Sequence, residues 1–405
     1  MKRYLSAFVG LVLLAAAGCS SGQPAAAPAG GESGAVGEPY KIGAILDVTG
    51  GGSTLAIPER NTLLMLTERV NAQGGITGPD GKQHRLELII EDNKGQESES
   101  VLLANKLIRT DKVPVLIGSS QSGTTLAMLQ TVQEAEIPLI SLATSVQIVT
   151  PVAERKWAFK TPWSDANIVA AIVEDMQNRG FTKIAWLSVN NAYGDSARTE
   201  FLRIAPEAGI ELVLDDRFDV GVKDLTPLMN RVKASDAQAV VIWALSPETA
   251  VAVRGHKALQ LKQEVYVSHG VATPQFLELA GSAAEGINMA AGKALVVDQL
   301  PDDDPQKAVL DDFNQSYQAT FRDPISTLGG HAWDAFHMVI HAFSKVGPDP
   351  ARIREVLEND VREFVGVTGI FNLSPEDHTG LDARGLAILR VENGSFRLVR
   401  TFSDP

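Results

Sequence analysis

The chain has 405 residues, enough for two domains with cores of their own. Its 44% apolar and 21% charged residues are those of a globular protein, and a formal charge of −13 with no basic cluster beyond Lys2 and Arg3 excludes a nucleic-acid surface. The one cysteine, Cys19, excludes an intrachain disulfide and a cysteine-built metal site.

In chain order, Lys2 and Arg3 precede the apolar run "LSAFVGLVLLAAAG", which ends directly at Cys19. A charged start, a short apolar core and small residues predict an export signal over 1–18, too short to span a bilayer comfortably. "AAGC" resembles the bacterial lipobox, with Ala16 where Leu is commoner. It predicts cleavage before Cys19, acylation of its thiol and an extracytoplasmic, lipid-anchored protein; an ordinary signal peptide that happens to contain a cysteine is the alternative. Residues 19–38 are small and polar with Pro and Gly throughout, and read as a flexible tether.

Strands and helices alternate from Tyr40. "YKIGAIL" reads as a strand, and Pro58 as the start of a helix running to about Gln73 with Leu63, Leu64, Leu66 and Val70 inward. The turn-rich "NAQGGITGPDGK", the strand "RLELIIED", a helix around Ser98–Thr110, a further helix and the buried strand "IPLIS" follow. This order predicts a mostly parallel sheet with helices on both faces. The pattern then restarts: "KIAWLSV" at 183–189 mirrors "KIGAILD" at 41–47, and strands at about 210–218, "AQAVVIWA" and "EVYVSH" alternate with helical segments. After Gly286 the residues read as helical over Pro305–Phe321, Ser326–Val346 and Pro350–Glu358. Three strands close the chain around "GVTGIF", "GLAILRV" and "SFRLVRTF", the last two joined as a hairpin by "ENGS".

Enzyme and cofactor motifs are missing: no G-x-G-x-x-G follows the first strand, no G-x-x-x-x-G-K-[ST] occurs, and Gly118-Ser119-Ser120-Gln121-Ser122 lacks the last glycine of a nucleophile elbow. His331, His337 and His341 share one helical stretch, but two imidazoles without a third ligand read as packing or surface residues. No cofactor and no metal are expected.

One stretch has a clear chemical use. In "VPVLIGSSQSGTTLAML" an apolar run ends in hydroxyls and glycines where a helix begins. The first N–H groups of a helix have no partner and its dipole adds positive charge, so a carboxylate fits there without a basic side chain. Plain N-capping by Ser122 or Thr124 is the alternative.

From about Lys41 onward the ordered set "KIGAILDVTG", "NAQGGITG", "LIGSSQSGTT", "PLISLATS", "NAYGDS" and "AAEGI" resembles the leucine/isoleucine/valine-binding family of ABC-importer solute receptors. That resemblance implies an α/β fold of two Rossmann-like doubly wound lobes joined by three hinge crossings, the type I periplasmic binding protein. It implies lobes of 39–160 with 291–366 and of 161–290 with 367–405, with crossings near Lys160, Ala290 and Gly366. It also implies a monomer that hands a small solute to permease subunits, by lobe closure and without catalysis. Gln121 falls in the loop of the site, Ser122 and Thr144 at hydrogen bonds to the ligand carboxylate with backbone near Ala143, and Tyr193 over the ligand. Leu55 stands where an aromatic side chain is common, and Leu245 and Ser246 where tyrosines are common.

The departure is "YVSHGVA", where His269 replaces an acidic residue that pairs with a ligand ammonium, with no obvious carboxylate nearby in its place. Losing one side of a buried ion pair costs roughly 3–5 kcal/mol. A carboxylate-bearing solute with an uncharged remainder, such as a branched or aromatic acid, is therefore expected over an α-amino acid; a core role for His269 is the bland alternative. Trp243 and Trp333 read as packing residues, and Trp163 as either a packing residue or an edge of the cleft. A sensor on the same fold is the rival to a transport receptor.

Overall fold

The computed structural model describes residues 35–402; the signal, Cys19 and most of the tether lie outside the described residues. In chain order the first run is β1 (Tyr40–Leu46), α1 (Ser53–Ala72), the short hairpin β2 (Ile76–Thr77) and β3 (Gln83–His84), β4 (Leu86–Asp92), α2 (Glu97–Arg109), β5 (Leu116–Gly118), α3 (Ser122–Ala135), β6 (Leu139–Ser141) and β7 (Ala158–Lys160). The second run is α4 (Asp165–Asn178), β8 (Lys183–Val189), α5 (Ala192–Ile204), β9 (Glu211–Phe218), α6 (Thr226–Ala234), β10 (Ala239–Trp243), α7 (Ser246–Ala258), β11 (Glu264–Val267), α8 (Pro274–Ala280) and β12 (Asn288–Gly292). Then come α9 (Lys307–Phe321), α10 (Thr327–Val346), α11 (Pro350–Asp360), the short hairpin β13 (Phe364–Val365) and β14 (Ile370–Phe371), β15 (Leu386–Glu392) and β16 (Ser395–Thr401).

Two large sheets result, and they share a plan. The first has the order β4-β1-β5-β6-β7, all parallel. The second runs β9-β8-β10-β11-β12 in parallel and then adds β15 and β16 antiparallel. Counted along each run, both parallel parts have strand order 2-1-3-4-5, so the mirrored "KIGAILD" and "KIAWLSV" are the first strands of equivalent sheets. The expected α/β doubly wound class holds.

Residues of β1 divide between two cores because successive side chains leave opposite faces of a strand. Ile42, Ala44 and Leu46 join the core under α1 and α10, whereas Ile45 joins Leu116, Leu139 and the inner residues of α2 and α3. Gly43 between them lets Leu116 close in; a Cβ there would meet its Cδ2 at 2.7 Å. The β15–β16 hairpin turns at Asn393 and Gly394, both at positive φ (53° and 71°), as the two-residue turn of "ENGS" requires.

Three sequence expectations shift. Pro58 lies inside α1, which starts at Ser53, because Gly52 O accepts Leu55 N–H and Ala56 N–H and winds a turn before the proline. Leu64 is exposed while Leu63 and Leu66 are buried, since α1 turns one stripe only towards the core. The stretch after Gly286 begins with β12 rather than helix, and the "GVTGIF" region forms only β14 of a two-residue hairpin.

The chain leaves the first sheet after β7 and returns after β12, when α10 packs on α1. Before β15, residues near His378 still belong with β7: the His378 ring stacks on Phe159 at 4.1 Å and its carbonyl accepts the Lys160 N–H at 3.2 Å. Trp163, just past β7, is buried among glycines of the later passages: a Cβ on Gly292 or Gly385 would meet its ring at 2.9 Å. Among the described residues no helix is long and apolar enough to cross a membrane.

Candidate ligand-binding cleft

In a doubly wound sheet the loops at the carboxyl ends of the strands open a crevice where the strand order reverses. Here the reversals lie between β1 and β5 and between β8 and β10. A cavity of about 290 Å³ is lined from both sides by the loops that follow these strands and by those after β6 and β11.

The first wall is the β5–α3 loop. Gln121 precedes α3 without any side-chain cap, so neither Ser122 nor Thr124 acts as the N-cap. The N–H groups of Ser122, Gly123 and Thr124 are left at the cavity, at the positive end of a 14-residue helix. Behind them stands buried Asp47, at the end of β1. It accepts Ser119 Oγ–H and Gln121 Nε2–H, each at 2.7 Å, and its own N–H donates to Ser120 Oγ. Ser120 donates in turn to Glu59 of α1, and Asn93 Nδ2 donates to Ser119 Oγ at 2.8 Å. Burial raises both carboxyls, Glu59 well above its ordinary value, while hydrogen bonds hold Asp47 partly back. The loop is thus held from below by side chains of three other elements.

Ser122 Oγ accepts the Ser145 N–H at 3.3 Å, which leaves its own proton uncommitted. Thr144 differs: its hydroxyl donates to Asp165 Oδ1 at 3.0 Å, and its carbonyl accepts from buried Lys160 Nζ at 2.6 Å. Ala143 N–H donates to Ser141 Oγ at 3.1 Å. Lys160 and Asp165 form a buried pair behind this wall; burial pushes the lysine down and the carboxyl up, and each charge opposes the other's shift.

The second wall is aromatic. Asn191 caps α5, accepting from Tyr193 N–H and Gly194 N–H, and so aims Tyr193 from the first turn. Tyr193 and His269 meet edge to face with ring centroids 6.2 Å apart, and Trp243 packs behind both, at 5.7 and 5.9 Å. Tyr193 Oη and both ring nitrogens of His269 are buried without a hydrogen-bond partner among the described residues. The Ser268 hydroxyl and the Gly270 N–H both lie near Tyr193 Oη without completing a hydrogen bond to it, and the hydroxyl already donates to Ala244 O at 2.7 Å. Burial, helped by the Lys160 charge, lowers His269 to about 3, so its imidazole is neutral.

Of the expected residues, Leu55, Gln121, Ser122, Ala143, Thr144, Tyr193 and His269 line the cavity together. Ser246 does not: as the first residue of α7 it is fully buried, and its neighbours Leu245 and Glu248 reach the cavity instead. Trp163 is a packing residue, set edge-on to His331 at 6.2 Å.

Sequence reasoning missed four titratable residues of the lining: Lys94 and Glu97, which follow β4, and Glu248 and His331. Glu248, 7% exposed, brings a carboxylate to the same cavity as His269, with Oε1 accepting Gly221 N–H at 2.8 Å. Its signal was "SPE", an acidic residue in the first turn of a helix that follows a strand. His331 also lines the cavity, held neutral by burial at about 3, with Nδ1 on Thr368 Oγ1 at 2.9 Å. It stands on α10, far along the chain, and nothing local marked it.

Residues 39–395 match the family described as periplasmic binding protein. The leucine-, isoleucine-, valine-, threonine- and alanine-binding protein of Pseudomonas aeruginosa is 24% identical over 347 residues, 85% of this chain and 86% of that protein. An extracellular ligand-binding receptor from Rhodopseudomonas palustris HaA2 superposes with TM-score 0.81 at 25% identity, over 89% of this chain and 99% of that one. A branched-chain amino acid transporter substrate binding protein from Streptococcus pneumoniae, in complex with isoleucine, has the same fold with TM-score 0.78 at 22% identity, covering 89% and 99%. Two equivalent 2-1-3-4-5 sheets facing one cavity, with a match over nearly the whole chain, make this protein a member of the periplasmic binding protein family, whose members bind solutes rather than transform them.

Proposed function

We propose that the chain is the receptor lipoprotein of an ABC importer, anchored through Cys19, that takes up a small carboxylate-bearing solute and passes it to permease subunits. One observation carries the ligand class: the Ser122 hydroxyl and the uncapped N–H groups of α3 face the cavity with their protons uncommitted. A carboxylate accepts from all of them. Thr144 is already a donor to Asp165, so in this reading it shapes the pocket and Ser122 is the donor to the ligand. Leu55, Gln121, Ala143, Tyr193 and His269 complete the site. The lobes are 39–160 with 291–366, and 161–290 with the chain's end; the contacts of His378 with β7 argue for counting 367–381 with the first.

Closing the lobes joins ligand contacts made to both walls, so binding and closure share one free energy. Thermal denaturation of the mature protein against a panel of organic and amino acids tests the class. A ligand of the folded form raises Tm by mass action, and a panel in which only uncharged solutes do so overturns it. For the anchor, labelled fatty acid is expected on the protein and absent from Cys19→Ala; equal labelling of both refutes it.

Glu248 favours a second reading, a branched-chain amino acid receptor in which that carboxylate, rather than position 269, meets the ammonium group. Leucine binding that disappears in Glu248→Gln supports it.

A further inference from the structure

Among the cavity-lining side chains of the second wall, three polar atoms lack a hydrogen bond to the described residues: Tyr193 Oη, His269 Nδ1 and His269 Nε2. His269 is 3% exposed, Tyr193 is partly buried with its hydroxyl oxygen out of solvent, and both line the cavity. A buried polar atom without a partner costs stability unless something else satisfies it. Those atoms therefore describe the group that meets them.

A neutral imidazole has one N–H donor and one bare nitrogen acceptor, and a phenol both donates and accepts. An ammonium group only donates and would leave the imidazole N–H unmet. A carbonyl or ether oxygen only accepts and would leave the bare nitrogen unmet. A hydroxyl lying between the two side chains accepts from one and donates to the other. It suits whichever imidazole nitrogen faces it, since the two ring nitrogens point apart and no single atom reaches both. It carries no charge, which suits a wall whose rings are packed against the indole of Trp243. A protonated His269 would offer two donors to a second carboxylate, but so enclosed a ring stays neutral.

Resting on the carboxylate reading above, we infer that the physiological ligand is a hydroxylated, otherwise uncharged carboxylic acid, with its carboxylate at the Ser122 wall and a hydroxyl read by His269 and Tyr193. The hydroxyl comes from one of two places, the carbon next to the carboxylate or a distal position such as a phenol. Both share this chemistry.

Calorimetric titration of the mature protein with matched probes tests it. The aliphatic arm compares 2-hydroxy-4-methylpentanoate, 4-methylpentanoate and leucine; the phenolic arm compares 4-hydroxybenzoate with benzoate. In at least one arm the hydroxylated acid is expected to bind tenfold or more tighter than its parent, because a site built for a hydroxyl rejects the analogue lacking it. The arm that shows the ratio identifies the hydroxyl's place. In His269→Phe and in Tyr193→Phe, which keep the ring and remove the polar atoms, the ratio is expected to fall towards one. Equal binding of parent and hydroxylated acids in both arms overturns the inference while sparing the carboxylate reading, as does a ratio that survives both substitutions. Tightest binding by leucine also overturns it, in favour of the ammonium reading. Failure of every carboxylate to bind sinks both.

Discussion

The two walls of the cavity manage their polar atoms in opposite ways. On the first, Asp47 gathers Ser119 and Gln121, Glu59 holds Ser120, and Asp165 holds Thr144, so the polar side chains around the β5–α3 loop are largely bonded. On the second, the Tyr193 hydroxyl and both nitrogens of His269 are buried without a hydrogen bond among the described residues. A satisfied network fixes geometry, which suits a carboxylate pocket whose donors must point one way. An unsatisfied wall carries a cost that, in the reading proposed above, the ligand relieves.

The sharpest way to break that contrast is to attack the network. Asp47→Ala leaves buried donors of Ser119 and Gln121 without their acceptor, at about 1–3 kcal/mol for each unsatisfied group. A loss of roughly 3 kcal/mol in urea unfolding is expected. On the second wall His269→Phe deletes two unpartnered atoms instead, so the same measurement should show no loss, and a gain of about 1 kcal/mol. If the two substitutions destabilise equally, the walls are not different in kind.

Ser122→Ala comes next. It removes the one uncommitted hydroxyl of the first wall, and carboxylate affinity should fall by about 1.5–3 kcal/mol, the range for a hydrogen bond to a charged group. Because Ser122 does not cap α3, stability should change by less than about 1 kcal/mol. Intact affinity in calorimetry alongside a clear loss of stability would make this serine structural.

His269→Glu sharpens the comparison on specificity. It places an anion on the second wall, and preference should move towards the amino acid over the matching hydroxy acid by about tenfold, the equivalent of 1.4 kcal/mol. An unchanged ratio in paired titrations would mean that position 269 does not face the ligand's second polar group.

The smallest effect is in pH dependence. His269 and His331 have folded values lowered from 6.5 to about 3 by burial, so between those limits the unfolded chain binds more protons than the folded one. Their stabilising contribution is whole above pH 6.5 and is lost as pH falls towards 3. Each group should therefore remove about 1 kcal/mol of stability between pH 6.5 and 5.5. His269→Phe should lose less than the unmodified protein over that interval; parallel curves would show that His269 binds protons as readily in the fold as in the unfolded chain.

Much of this was legible in the chain. The repeat of "KIGAILD" as "KIAWLSV", the alternation of strands with helices and the helix start at "SSQSGTT" all depend on local periodicity and on backbone groups a few residues apart. Such signals survive without tertiary information, so the two doubly wound sheets were legible, and seven of the eight residues proposed for the site fall on the lining of one cavity. Ser246 failed for a local reason too: on the first turn of a helix a shift of one or two residues turns a side chain from cavity to core, and Leu245 and Glu248 took the outward places.

What tertiary structure alone decided is which polar groups are spoken for. The sequence has Ser122 and Thr144 as equal hydroxyls, but Asp165, 21 residues from Thr144, claims one proton and leaves the other free. It has His269 as a histidine, but only the packing of Tyr193 and Trp243 around the ring makes it neutral and unpartnered. His331 reaches the cavity from a helix that returns from the other lobe. Hydrogen-bond capacity is a property of residue type and can be read from one letter; whether that capacity is already spent depends on neighbours brought together by the whole fold.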